Sequence, residues 1–247
     1  MEILSSVKNP KIAVWKSLKE RKGRRETGCF LVEGRKMVEE ALASDFKVRA
    51  VLVDQDRAAE FHLPDGAVYA MPSHVLAAVC DTKTPQGIAA VVEARQITRL
   101  GNRLVALDGV QDPGNVGTII RTADAAGMDG VILSEQCADV FGPKTLRATM
   151  GSVFRMPMAV TADLPSMLEG LKGEGYAVIS SQLDGEPFYE RGPVGELFCL
   201  VIGSEGNGVS EAVQRVATHR VKLPMRGGAE SLNAAVAAGI MMYELTR

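Results

Sequence analysis

Apolar positions along this chain follow two rhythms. Short unbroken apolar runs predict strands covered on both faces. Longer stretches with an apolar residue every three or four positions predict helices packed along one side. After Asn9-Pro10, which can initiate a helix, Ile12, Val14, Trp15 and Leu18 form such a stripe. Arg21–Arg25 reads as a loop, Cys29–Val32 as a strand ending at Glu33-Gly34, and Met37, Val38, Ala41 and Leu42 as the next helix. A strand over Val48–Val53, a helix through Val75, Leu76 and Val79, and a strand over Gln86–Val92 follow. Strands and helices alternate, so residues 1–95 predict a small α/β domain. Glu93–Asn102 is polar and contains a glycine, and is the expected linker.

The pattern restarts at Arg103. Strands are expected at Leu104–Leu107, Val131–Leu133, Ala177–Ser180, Leu197–Gly203 and Val221–Leu223, with Phe154–Met158 extended. Helices are expected at Thr118–Gly127, Thr145–Met150, Leu164–Leu171, from Ser210 through Val216, and from Leu232 to about Leu245. Strand, glycine-rich loop and helix recur through residues 103–247. This predicts a second α/β domain, a mostly parallel sheet with helices on both faces, whose ligands bind beyond the carboxyl ends of its strands. The last helix has almost no polar face, so it is buried on several sides or lies against another chain. Ser231 is its expected N-cap.

Composition narrows the class. With 247 residues, 46% of them apolar, the chain is long enough for one large or two smaller globular domains. No run approaches a membrane span, and the first residues lack the pattern of a secretory signal. Four scattered cysteines and three scattered histidines predict neither a metal site nor a disulfide framework, and make the cytoplasm the expected compartment. The net charge of −2 argues against a generic nucleic-acid binder, but its distribution is uneven. Residues 1–50 carry 12 Lys and Arg against 7 Asp and Glu. Lys8, Lys11, Lys16, Lys19, Arg21, Lys22, Arg24 and Arg25 are opposed there only by Glu20, so they are a candidate phosphate-binding surface.

Three strand-to-loop junctions, Asp108–Gly117, Gly203–Gly208 and Leu223–Ser231, can meet at one edge of the second sheet. None is a GxxxxGK[ST] phosphate loop or a GxGxxG dinucleotide loop, and no histidine or GxSxG supports a nucleophilic triad. The loops offer glycine backbone, Asn115, Arg121, Glu205, Ser231 and Asn233. That set suits holding a polar adenosine-like ligand and positioning a reacting group.

These residues carry a resemblance. Asp112-Pro113-Gly114-Asn115-Val116-Gly117 with Arg121, then Gly203-Ser204-Glu205-Gly206, then Leu223-Pro224-Met225 and Ser231-Leu232-Asn233, resemble the three ordered motifs of the SpoU (TrmH-like) RNA ribose 2′-O-methyltransferases of the SPOUT superfamily. Asn9-Pro10, Phe30–Gly34 and Gln86-Gly87-Ile88 resemble the substrate-binding domain of such enzymes. The resemblance implies a parallel sheet with a deep C-terminal trefoil knot, an exception to ordinary chain connections. It also implies S-adenosylmethionine held in the knot loops, and a homodimer. By the same resemblance Gly203, Leu223 and Leu232 contact the methyl donor, and Ser204, Met225, Ser231 and Asn233 belong to the same site.

The resemblance makes Arg121 the catalytic arginine, with Asn115 fixing the ribose or Arg121, and Glu205 holding Arg121 or a neighbouring loop. Because arginine stays protonated in proteins, Arg121 is expected to bind phosphate and stabilise a developing alkoxide, not to act as the base. The expected substrate is RNA, ribosomal more than transfer, with the Lys8–Arg25 cluster on its backbone. The alternatives are a transfer-RNA ribose or base-nitrogen methyltransferase of the same fold, and a noncatalytic RNA-binding protein. Arg226-Gly227-Gly228-Ala229 departs from the family pattern by being more basic and glycine-rich.

Overall fold

The structure is a computed structural model that describes residues 1–95 and 100–247. Residues 96–99, within the expected linker, lie outside the described residues. The chain forms two compact units. Met1–Arg95 and Asp139–Phe154 make up the first, and the remaining described residues the second.

The first unit contains β1 (Glu2–Ile3), α1 (Pro10–Ser17), α2 (Arg21–Thr27), β2 (Cys29–Glu33), α3 (Arg35–Ala43), β3 (Val48–Asp54), β4 (Val68–Met71), α4 (Ser73–Val79) and β5 (Ile88–Glu93). Its sheet runs β1-β4-β3-β5-β2 and is mixed, because β5 is antiparallel to both β3 and β2. Alternation along β2 assigns the two faces. Leu31 joins Ile12, Trp15, Leu18 and Leu76 on one side. Phe30 stacks on Phe141 on the other, with ring centroids 4.5 Å apart. Phe46 and Phe154 complete this second cluster, 5.3 Å apart edge to face. Phe141 and Phe154 come from the distant segment Asp139–Phe154, which also contributes the helix α6 (Pro143–Thr149).

The stretch Arg21–Arg25, expected as a loop, is helical instead, and the structure also corrects the placement of Arg24. Gly23 lets α2 start tight against α1, since a Cβ there would lie 2.2 Å from the Ser17 carbonyl oxygen. Arg24 is buried. Its Nη1 donates to the carbonyls of Leu18 (2.7 Å) and Lys19 (2.8 Å), satisfying groups left open at the end of α1. Its Nη2 and Nε donate to Asp139 at 2.7 and 3.0 Å. Arg24 is therefore a structural residue, buried and with four of its five N–H donors committed, and not part of a phosphate-binding surface.

The second unit contains β6 (Arg103–Asp108), α5 (Pro113–Ala125), β7 (Gly130–Ser134), β8 (Met158–Thr161), α7 (Leu164–Gly173), β9 (Ala177–Pro187), β10 (Phe198–Gly203), α8 (Glu211–Val216), β11 (His219–Lys222) and α9 (Ala234–Leu245). Its six strands run β11-β9-β10-β6-β7-β8, and every pair is parallel. Leu104, Ala106, Ile132, Val178, Cys199 and Val201 pack with Leu164, Leu168 and Val213 from α7 and α8. The intervening strand residues, such as Val105, Leu107 and Ile202, are equally buried. They face the layer where α5 and α9 pack on each other and on β7 and β10. Among the described residues, no helix is long and apolar enough to cross a membrane, and no cluster of histidine, cysteine and carboxylate side chains could hold a metal.

The interior leaves a mark on stability. Burial pushes the Cys199 thiol up to about 12, and burial with the nearby Glu33 carboxylate pushes Cys80 up to about 12, from an ordinary 9.0. Between pH 9 and 12 the unfolded chain releases these protons while the folded chain keeps them. Their contribution is complete below pH 9 and is lost as pH rises through that window. Thermal melts should therefore drop between about pH 8.5 and about pH 10.5, and Cys199→Ala should reduce that slope.

Candidate functional site

The sheet reverses its order of build-up beside β6, so the carboxyl ends of β6 and β10 frame a crevice. Gly203, the last residue of β10, is in register with Asp108, the last of β6. The Asp108 carboxylate accepts the Ser210 backbone N–H at 2.7 Å, tying the loop after β10 to the end of β6. Within that loop Ser204 and Gly208 exchange two backbone hydrogen bonds, 2.9 and 3.1 Å, which close a tight turn over Glu205–Asn207. A Cβ on Gly203 would lie 2.0 Å from the Gly208 carbonyl carbon, so only glycine lets the loop fold back on its own strand.

A cavity of about 560 Å³ lies in this crevice. Gly203, Ser204, Glu205, Leu223, Met225, Ser231, Leu232 and Asn233 all line it, so the loops after β10 and β11 meet there as the sequence indicates. Its floor is apolar, with Ile202, Val209 and Met241, while Asp184, Glu205 and Glu230 contribute carboxylates.

Helix boundaries place the polar groups differently from expectation. α5 begins at Pro113, five residues before Thr118, and Asp112 caps it by accepting the Asn115 N–H at 2.8 Å. α9 begins at Ala234, and its N-cap is Asn233, not Ser231. Asn233 Oδ1 accepts the N–H groups of Ala235 and Val236 at 2.9 and 3.3 Å. Its Nδ2 then donates to Asn115 Oδ1 at 2.9 Å, and Asn115 Nδ2 donates to Glu205. Each amide is thereby held one way round. The chain of bonds runs from the positive end of α9 to the Glu205 carboxylate. Glu205 thus holds Asn115, and in this state no bond links it to Arg121. Arg121 is exposed on α5 and has no hydrogen-bond or ion-pair partner among the described residues.

Sequence reasoning missed one wall of the cavity. β9 runs to Pro187, seven residues past its expected end. Ser180 pairs with Arg220 and Glu186 with Val221, so the register skips the residues between them. Ser181, Gln182, Leu183 and Asp184 fall in that skipped stretch and line the cavity. No periodicity marks a register shift, which is set by two strands together.

In the basic cluster, Lys11 pairs with Glu2 at 2.8 Å and lies 4.5 Å over the Tyr69 ring. Lys19 donates to the Ala78 carbonyl at 2.9 Å. Lys8, Lys16, Arg21, Lys22 and Arg25 are exposed, as is Arg226–Ala229 in the second unit.

Comparison with known proteins gives this geometry relatives. The SpoU rRNA Methylase family matches residues 102–243, and the MRM3-like substrate binding domain matches residues 9–90. The chain is 42% identical over 247 residues to the 23S rRNA (guanosine(2553)-2′-O)-methyltransferase RlmP of Bacillus subtilis, covering 99% of each. The AdoMet-bound rRNA methyltransferase from Sinorhizobium meliloti superposes with a TM-score of 0.87 at 34% identity, over 99% of this chain and 97% of that one. The SpoU methyltransferase AviRb from Streptomyces viridochromogenes, in complex with AdoMet, does so with a TM-score of 0.86 at 29% identity, over 97% of each chain. Three ordered loops at one sheet edge, the attached N-terminal domain and these relatives agree: the chain belongs to the SpoU rRNA Methylase family.

Proposed function

We propose that this protein transfers a methyl group from S-adenosylmethionine to a ribose 2′-hydroxyl of ribosomal RNA. The observation that carries the reading is the bond chain Glu205–Asn115–Asn233 fixed beside a cavity built by the loops after β10 and β11. A volume of about 560 Å³ lies within the usual range for small-molecule sites. The apolar floor suits a nucleobase, and carboxylates among the lining residues suit a cationic ligand. Gly203, Ser204, Leu223, Met225, Ser231, Leu232 and Asn233 would hold the donor. When bound, it supplies a methyl group on a sulfonium.

The protein's own residues then position the acceptor. Arg121 remains a cation, and without a partner its guanidinium is free to take a nucleotide phosphate in a forked pair and to stabilise the alkoxide. Asn115, locked by its two amide bonds, presents a fixed group to the ribose. The exposed Lys8, Lys16, Arg21, Lys22 and Arg25 would meet RNA backbone, an interaction that weakens steeply with salt.

A homodimer belongs to the same reading. Val236, Ile240 and Tyr243 recur along one face of α9 and are 50%, 39% and 56% exposed, which a second copy would cover. So do the trefoil knot, which rests on the family resemblance, and a cytoplasmic location, which rests on the scattered, unpaired cysteines.

The test is to incubate the protein with methyl-labelled donor and ribosomal RNA lacking the modification, then digest the RNA to nucleosides. A labelled 2′-O-methylnucleoside is the expected product. Label on a base nitrogen, or only on transfer RNA, would replace the substrate assignment. No label on any RNA, with donor bound, would favour a noncatalytic RNA-binding protein.

A further inference from the structure

We infer that Gln182 reads the base of the ligand, its buried amide pairing with the exocyclic amine of an adenine. The inference rests on the adenosyl-donor reading above and adds a specificity-determining residue to it. Gln182 lines the cavity and is only 9% exposed. Its Nε2 donates to Ser180 Oγ at 2.9 Å, and Ser180 is fully buried. Its Oε1 is buried with no hydrogen-bond partner among the described residues. Buried amide oxygens are nearly always paired, so an orphan on a cavity wall calls for a ligand donor.

Topology explains why the protein leaves this oxygen open. Pairing of β9 with β10 ends at Ser180 opposite Val201. Pairing with β11 breaks after the same residue and resumes only at Glu186. Gln182 therefore sits beyond the reach of either ladder, while Ser180 holds its amide one way round.

The chemistry selects the group that fits. Oε1 is an uncharged acceptor, so it needs a donor that can be buried without charge. A ligand ammonium belongs with Asp184, Glu205 or Glu230. Ribose hydroxyls can use the same carboxylates. The adenine base has apolar faces for Ile202, Val209 and Met241, and its amine is a neutral donor on that apolar body.

Titration calorimetry with two ligands tests this: S-adenosylhomocysteine, and S-inosylhomocysteine, in which oxygen replaces the amine and would face Oε1. Wild-type protein should prefer the adenosine ligand by about tenfold or more. Gln182→Met should erase most of that preference by weakening the adenosine ligand while sparing the inosine one. A purely structural role would weaken both ligands alike and leave their ratio unchanged. Equal affinity of wild type for the two, or an unchanged ratio in the variant, would overturn the inference alone. Wild type that binds neither would overturn the donor reading, and this inference with it. If Gln182→Met fails to fold, the wild-type ratio and Gln182→Asn, which withdraws the same amide by one methylene, decide.

Discussion

Arg121→Ala should lower single-turnover methylation by about 10²–10³-fold while leaving donor affinity within about twofold of wild type. The size follows from what the side chain can do. Its guanidinium stands exposed on α5, with no partner among the described residues, so its removal breaks no internal bond and opens no cavity. The whole effect should fall on the RNA nucleotide and on charge developing at its 2′-oxygen. Arg121→Lys keeps the charge but loses the fork, and should recover only part of the rate. Rates at saturating donor, with calorimetry on the same preparations, check both halves. Full turnover by Arg121→Ala would sink the assignment.

Arg24→Ala should destabilise the protein by about 3 kcal/mol, the low end for breaking a buried ion pair because Asp139 keeps some contact with water. The variant loses two bonds to the carbonyls that end α1 as well as the pair. For a protein of this size the melting temperature should fall by roughly 6–12 °C. The same variant separates two roles for Arg24. A backbone phosphate contact would reduce the salt dependence of RNA binding by nearly one counterion. The structure, with four of the five Arg24 N–H donors committed inward, predicts no such change at temperatures where the variant is folded.

Much of the site was legible because it is made of local signals. Gly203, Leu223, Leu232 and Asn233 follow apolar strands in loops whose residue types stand out one by one, and these loops do meet. What escaped notice depends on two segments at once. The partners of Asn115 are 90 residues away in Glu205 and 118 away in Asn233, and nothing in the local pattern pairs them. The wall at Gln182 arises from a register break between β9 and β11. Arg24 looks like any residue of a basic run until α2 folds it over the end of α1. The start of α9 moved two residues because Ser231 and Asn233 are comparable caps by type, and geometry favours Asn233.

The fold class was readable from rhythm, since β6, β7, β9 and β10 each contain an unbroken apolar run, whereas β11 has only Val221 and β8 starts at Met158, where the expected extended stretch ends. The sheet of the first unit was less so. β4, Val68–Met71, is four residues long and contains a tyrosine and a methionine, too short to show a period.

The segment Asp139–Phe154 makes the first unit discontinuous in sequence, and this sets an order on its birth. When the ribosome has made residues 1–95, the sheet is complete, but Phe30 and Phe46 lack Phe141 and Phe154, and Arg24 lacks Asp139. At about 5–20 residues per second, these partners arrive roughly 3–12 seconds later. During that interval the nascent chain holds an open aromatic face and a guanidinium without its carboxylate. The first half of the protein to be synthesised is thus obliged to wait for the second before its own core can close.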